Sequence, residues 1–188
     1  MSSMKATVFL VHLAFALAFT TQYHLLAASC PNAASFSVEA VCRATTGTEY
    51  MYELCRDAMR DVSAPENQVS LYALVAARRA LASYQDTVHA LGGLLRNASL
   101  PGEGKAYALC AASYQDAGGT MQAVADALTG CRFAGLGQMY KDGIAQLESC
   151  RDRLIKAMSS PLYAMNLLDR NKAILAYFVG TLLPGVAP

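Results

Sequence analysis

The sequence predicts an all-α protein: an up-down-up-down four-helix bundle with an N-terminal helical hairpin, stabilised by disulfides. Three observations lead there. Apolar residues recur at three- and four-residue spacing along the long segments, the mark of helix faces buried in a bundle. No stretch alternates strictly enough to read as sheet. Six cysteines and no tryptophan occur in 188 residues, and the order of the cysteines suits antiparallel helices.

The chain opens on an apolar run from Ala6 to Phe19, preceded by Lys5 and followed by the small residues Ala27, Ala28 and Ser29. This is the layout of a secretory signal peptide, expected over 1–28, with one domain over 29–188. The run is interrupted by His12 and is shorter than the roughly 20 residues a bilayer asks for. Such a leader delivers the rest of the chain to an oxidising compartment, where cysteines pair. Of the 15 basic and 14 acidic side chains, only Lys5 precedes the cleavage zone. The mature part is therefore near neutral, which argues against nucleic acid or an anionic membrane as partner.

From Cys30 to Met59, Thr45-Thr46-Gly47 reads as the turn between two short helices, stapled by a Cys42–Cys55 bridge. Short helices are marginal alone, and closing such a loop contributes roughly 3 kcal/mol. Val69 to Arg96 is a long helix with Leu74, Ala77, Leu81, Tyr84, Val88, Leu91 and Leu95 inward. Asn97 to Gly104 is a loop, on Pro101, Gly102 and Gly104. Its Asn97-Ala98-Ser99 is a glycosylation acceptor sequence. A helix from about Lys105 to Leu128 presents Leu109, Ala112, Met121, Val124 and Leu128, with Gly118-Gly119 as a weak point. The next covers about Ala134 to Met158 with Leu136, Tyr140, Ile144, Leu147 and Leu154, and Ser159-Ser160-Pro161 breaks it. The last runs from about Leu167 to Leu183 on Leu168, Leu175, Phe178 and Leu182, too short a run to span a bilayer. Short connections favour antiparallel neighbours.

Cys110 lies near the start of one helix and Cys150 toward the end of the next. A bridge between them requires antiparallel packing and is worth roughly 4 kcal/mol of loop closure. Two arrangements stay open for the others: a Cys30–Cys131 bridge, or a reduced Cys131 in the core with Cys30 on a loose terminus. Six cysteines admit fifteen full pairings. A small repeat is visible, with Ala82-Ser-Tyr-Gln-Asp86 recurring as Ala112-Ser-Tyr-Gln-Asp116.

The inventory of chemistry is thin. After the leader only His89 remains, so zinc ligation by histidine and cysteine is not assembled. Cys-x-x-Cys, Gly-x-Ser-x-Gly, P-loop and dinucleotide motifs are absent. Asp86 and His89 read as a solvated face. Asp57 and Asp61, four apart and interleaved with Arg56 and Arg60, read as mixed surface charge, not a glycosidase pair. No cofactor and no catalytic residue are expected. The inventory points to recognition.

Taken together, Cys42 and Cys55, the run Ala108-Leu-Cys110-Ala-Ala-Ser-Tyr114-Gln-Asp-Ala117, Leu147-Glu-Ser-Cys150, Ser160-Pro161-Leu162, Asn171 and a terminal apolar helix carry a resemblance. In their order and spacing the chain resembles the plant invertase and pectin methylesterase inhibitor family. The resemblance covers essentially all of the mature chain. It implies bridges Cys42–Cys55 and Cys110–Cys150 and a four-helix bundle with an N-terminal hairpin. It implies that a pectin methylesterase inhibitor covers the enzyme's pectin cleft with its second and third bundle helices. It implies that an invertase inhibitor inserts a Pro-Lys-Phe stretch into the active site. Cys131-Arg132-Phe133 is the nearest match here, with cysteine in place of proline.

The expected function is a secreted inhibitor of pectin methylesterase, a monomer that plugs the substrate cleft one-to-one. The runner-up target is cell-wall or vacuolar invertase. Candidate contacts for the pectin enzyme are Tyr84, Gln85, Asp86, Tyr114, Gln115 and Asp116; for invertase they are Arg132 and Phe133. Tyr84 and Tyr114 read equally well as core residues. The expected location is the apoplast, with diversion to the vacuole as the variant. A different class, a non-inhibitory extracellular helical carrier of an apolar ligand, requires an internal apolar cavity of several hundred Å³.

Overall fold

The computed structural model describes residues 30–62, 67–97 and 102–187. The leader expected over 1–28, and Ala98 and Ser99 of the glycosylation motif, lie outside these residues. Among the described residues no helix is long and apolar enough to cross a membrane.

Two short helices, α1 (Val38–Thr45) and α2 (Glu49–Met59), form the hairpin. Each starts on a side-chain cap: Ser37 Oγ accepts from the Ala40 amide, and Thr48 Oγ1 from the Met51 amide. Such caps satisfy amides that the first turn leaves without partners. The Cys42–Cys55 bridge ties the two helices together. The four long helices are α3 (Val69–Arg96), α4 (Glu103–Thr129), α5 (Leu136–Leu154) and α6 (Pro161–Gly180). Helix α3 packs on α4 and α6, and α5 packs on the same two, which closes a four-membered ring. The Cys110–Cys150 bridge sets the start of α4 beside the end of α5. Tyr107 and Ser160, 2.8 Å apart, set the same end of α4 beside the start of α6. The helices therefore alternate in direction.

Three local features depart from the sequence reading. First, Ser35–Phe36 pairs antiparallel with Asn67–Gln68, a two-residue ladder too short to carry any periodicity. Second, α6 begins at Pro161, about six residues earlier than expected. Proline at the first helical position fits a helix start because its missing N–H would be unpaired there anyway. Ser160 supplies the cap through Leu162, 3.2 Å away. Third, Gly118-Gly119 leaves α4 unbroken.

The core also turns to a different phase from the one drawn on the largest apolar residues. Val88, Leu95, Leu109, Leu168 and Phe178 are exposed, as is Ala112. The inward line of α3 runs through Ala73, Ala77, Ala80, Tyr84, Thr87 and Leu91. That of α4 runs through Tyr107, Cys110, Ser113, Tyr114 and Ala117. Small residues let the helices approach, and four tyrosines, Tyr72, Tyr84, Tyr114 and Tyr140, fill the space between them.

Candidate inhibitory surface

The repeated Ala-Ser-Tyr-Gln-Asp segments meet inside the molecule. The rings of Tyr84 and Tyr114 stand edge to face, 6.0 Å between centroids. Each residue is 1% exposed, so neither reaches a partner surface; both are core residues. The hydroxyl pKa of both is pushed far upward, by burial first and then by the nearby Asp169 charge. The Gln-Asp pair after each tyrosine lies outside: Gln85, Asp86, Gln115 and Asp116 are all exposed. The ring contact fixes the two Gln-Asp pairs at one level of the α3–α4 layer. Asp86 turns away from α4, however, and lines a cleft with residues of α2 and α6. Gln85, Gln115 and Asp116 remain as exposed polar candidates.

Beneath this surface lies a polar network that sequence reasoning missed. Asp169, 1% exposed on α6, accepts from Thr87 Oγ1 at 2.6 Å and Tyr114 Oη at 2.7 Å, and also from Ser83 Oγ. Lys172 Nζ donates to Ser83 Oγ at 2.9 Å. Asn166 Nδ2 donates to the Leu147 carbonyl at 3.1 Å and reaches Tyr114 Oη at 3.4 Å. Through these bonds α6 is tied to α3, α4 and α5. Burial raises the Asp169 pKa above its ordinary value, opposed by the Ser83, Thr87 and Tyr114 hydrogen bonds and by Lys172. The signal was present: Leu162, Asn166, Asp169, Ala173, Ala176 and Gly180 are spaced four, three, four, three, four, a buried helix face with two polar members.

The loop between α4 and α5 holds the other candidates. Helix α4 ends in a paired-carbonyl cap: the Arg132 amide donates to the Ala127 carbonyl at 2.8 Å and Cys131 to Leu128 at 3.1 Å. Cys131 occupies the left-handed position of this cap, φ 53°, where glycine is the usual residue. It is bonded to Cys30, which answers the pairing left open by the sequence: no described cysteine is reduced. Arg132 folds back, its Nη2 donating to the Asp126 carbonyl at 3.4 Å. A Cβ on Gly130 would lie 2.5 Å from Arg132 Nη1, so the guanidinium rests against bare backbone there. Phe133 is half-buried against the core. The pair does not project as a plug.

Several of the remaining charges are paired within the protein. Arg60 pairs with Asp57 at 3.2 Å and Arg79 pairs with Asp61. Arg153 donates to Ser113 at 2.7 Å, and Arg170 to Glu148 at 2.7 Å. Asp86 and His89 are exposed, and Asn97 is exposed at the end of α3. Among the described residues no group of three or more His, Cys, Asp or Glu side chains converges to hold a metal ion.

No protein-family model matches the chain, and no curated protein matches it in sequence. Solved structures do match in fold. A mutant form of a pectin methylesterase inhibitor from Arabidopsis superposes with TM-score 0.66 at 16% identity, over 79% of this chain and 99% of that one. A pectin methylesterase inhibitor from Arabidopsis thaliana superposes with TM-score 0.60 at 15% identity, over 78% and 95%. The class that fold and bridges define is a disulfide-stapled helical bundle. Within that class, the chain has the fold of the pectin methylesterase inhibitors.

Proposed function

We propose that the protein is a secreted, non-catalytic inhibitor of pectin methylesterase that occludes the enzyme's substrate cleft as a monomer, one inhibitor per enzyme. The observation that carries this reading is the match in fold to pectin methylesterase inhibitors over nearly their whole length. Blocking a cleft requires a rigid, pre-shaped face and no reacting group. The α3–α4 layer supplies such a face, because Tyr84, Tyr114 and the Asp169 network immobilise it from within. Gln85, Gln115 and Asp116 offer amide and carboxylate groups to a polar, carbohydrate-binding wall. An interface of this kind buries about 1,600 Å² in total.

The invertase reading depends on Arg132 and Phe133 leaving the body of the protein. Arg132 instead caps α4 and Phe133 packs on the core, so the pectin enzyme is the favoured target. The carrier of an apolar ligand calls for a chamber lined by hydrocarbon. Two clefts among the described residues, of about 230 and 490 Å³, are bordered by charged side chains, which suits it poorly. The deciding experiment mixes the purified mature protein with plant pectin methylesterase, and separately with acid invertase, at mildly acidic pH. Loss of pectin methylesterase activity that saturates at one equivalent is expected. Inhibition of invertase alone, or of neither enzyme at micromolar concentration, rejects the proposal.

A further inference from the structure

We infer that the seam between α4 and α5, at the end where α4 begins and α5 finishes, docks a strand of de-esterified pectin, a linear polyuronate. The register of the two helices gathers three cations there. Cys110 and Cys150 have Cα atoms 4.6 Å apart, and Arg153 Nη1 donates across the seam to the Leu109 carbonyl at 3.3 Å. Lys105 precedes Leu109 by four residues and Lys156 follows Arg153 by three, spacings that keep each pair on one helix face. Because the helices run in opposite directions, both steps lead toward the same end, each by roughly one turn. Lys105, Arg153 and Lys156 are all exposed.

No carboxylate neutralises them among the described residues. Arg153 spends its donors on the neutral Leu109 carbonyl and Ser113 hydroxyl. The acidic side chains of that end are engaged by other groups: Glu103 by Tyr107, Asp152 by Arg151 and Glu148 by Arg170. Asp116, the next exposed carboxylate of α4, lies about 10 Å further along the helix than Leu109 and bounds the strip. The formal charge of the whole chain is only +1, so the strip is a local concentration of charge. A guanidinium takes a carboxylate through paired N–H donors, and lysine adds point charges. Leu109, 41% exposed among them, offers hydrocarbon to the C–H face of a sugar ring. An anionic bilayer is recognised by clusters of about four to eight basic residues, more than this seam holds. The choice of polyuronate rests on the proposed inhibitory role: hydrolysis of pectin methyl esters leaves free carboxylates on the polymer, so the strip holds the inhibitor where its target has worked.

The test reads binding with no enzyme present, so its failure and the failure of the inhibitory reading are told apart. Fluorescence anisotropy follows end-labelled oligogalacturonate, de-esterified or fully methyl-esterified, titrated with the intact mature protein; cosedimentation with phosphatidylserine vesicles runs in parallel. Saturable binding that weakens as salt rises is expected for the de-esterified strand. The esterified strand, lacking charge, should bind at least about tenfold more weakly. Lys105→Gln together with Lys156→Gln should weaken the de-esterified strand at least about fivefold, while helicity and melting temperature hold. Arg78→Gln together with Lys141→Gln removes the same charge from α3 and from the opposite end of α5, and should alter affinity by less than about twofold. Equal losses from the two pairs, equal binding of the esterified strand, tighter binding to the vesicles or no saturable binding overturns the site.

Discussion

The two repeated tyrosines occupy like positions and do unlike work. Tyr114 donates to Asp169 at 2.7 Å, whereas the buried Tyr84 hydroxyl has no partner among the described residues. Removing a donor from a buried carboxylate costs about 1–3 kcal/mol, while removing an unpaired hydroxyl relieves a desolvated group. Tyr114→Phe should therefore lower stability by about that much, and Tyr84→Phe should leave it unchanged or slightly higher. Chemical denaturation of the two variants side by side checks this; equal losses would contradict the assignment. Asp169 makes a second prediction. Its pKa is raised in the folded state, chiefly by burial, so the native protein holds this proton more tightly than the unfolded chain. The resulting stabilisation is present in full below about pH 4 and is lost as pH rises through the folded value. Subtracting the stability of Asp169→Asn from that of the parent across pH 3 to 8 should give a difference that declines with rising pH. A difference that climbs with pH refutes it. Neither behaviour was legible in the repeat, because a Tyr-Gln-Asp string does not reveal which helix faces it.

At the scale of elements, capping and bridging explain why short segments hold their shape. The hairpin helices α1 and α2 have 8 and 11 residues, lengths that are marginal for a helix in water. Opening Cys42–Cys55 by double serine substitution should cost roughly 3 kcal/mol by loop closure. The loss should be confined to the hairpin, seen as fast amide exchange at 38–59 while α3 to α6 stay protected. At the crossing of α5 and α6 the constraint is steric. A Cβ on Gly180 would meet the Tyr140 ring at 2.6 Å. Because Tyr140 is fully buried, Gly180→Ala should destabilise by about 1–3 kcal/mol, measured as a lowered thermal midpoint. Boundaries of α3 and of the hairpin were legible in the sequence because caps, glycine turns and helical periodicity are local. The start of α6 was not, since Ser-Pro both ends one helix and begins another and only the neighbouring contacts distinguish the two.

For the whole molecule, the proposed inhibition treats the bundle as a rigid body whose exposed polar residues make the contact while the core holds its shape. Alanine at Gln85 and Gln115 together should change folding stability by less than about 0.5 kcal/mol, as expected for solvated positions. The same change should weaken pectin methylesterase inhibition at least tenfold. An unchanged inhibition constant would move the contact face elsewhere on the bundle.

Helix number, the disulfide-rich character and the antiparallel order were determined by the sequence itself. Hydrophobic period, cap residues and cysteine spacing act over a few residues or through chain connectivity. The partner of Cys30, the core placement of Tyr84 and Tyr114, the inward turn of Asp169 and the folded-back Arg132 were decided only by tertiary structure. The Cys30 bridge depends on where the N-terminal segment meets the loop after α4, and Arg132 on the cap of its own helix. The tyrosines and Asp169 depend on the rotational phase of one helix against another. That phase is set by close packing of small residues around four buried tyrosines, an optimum of the assembled bundle that no single helix contains.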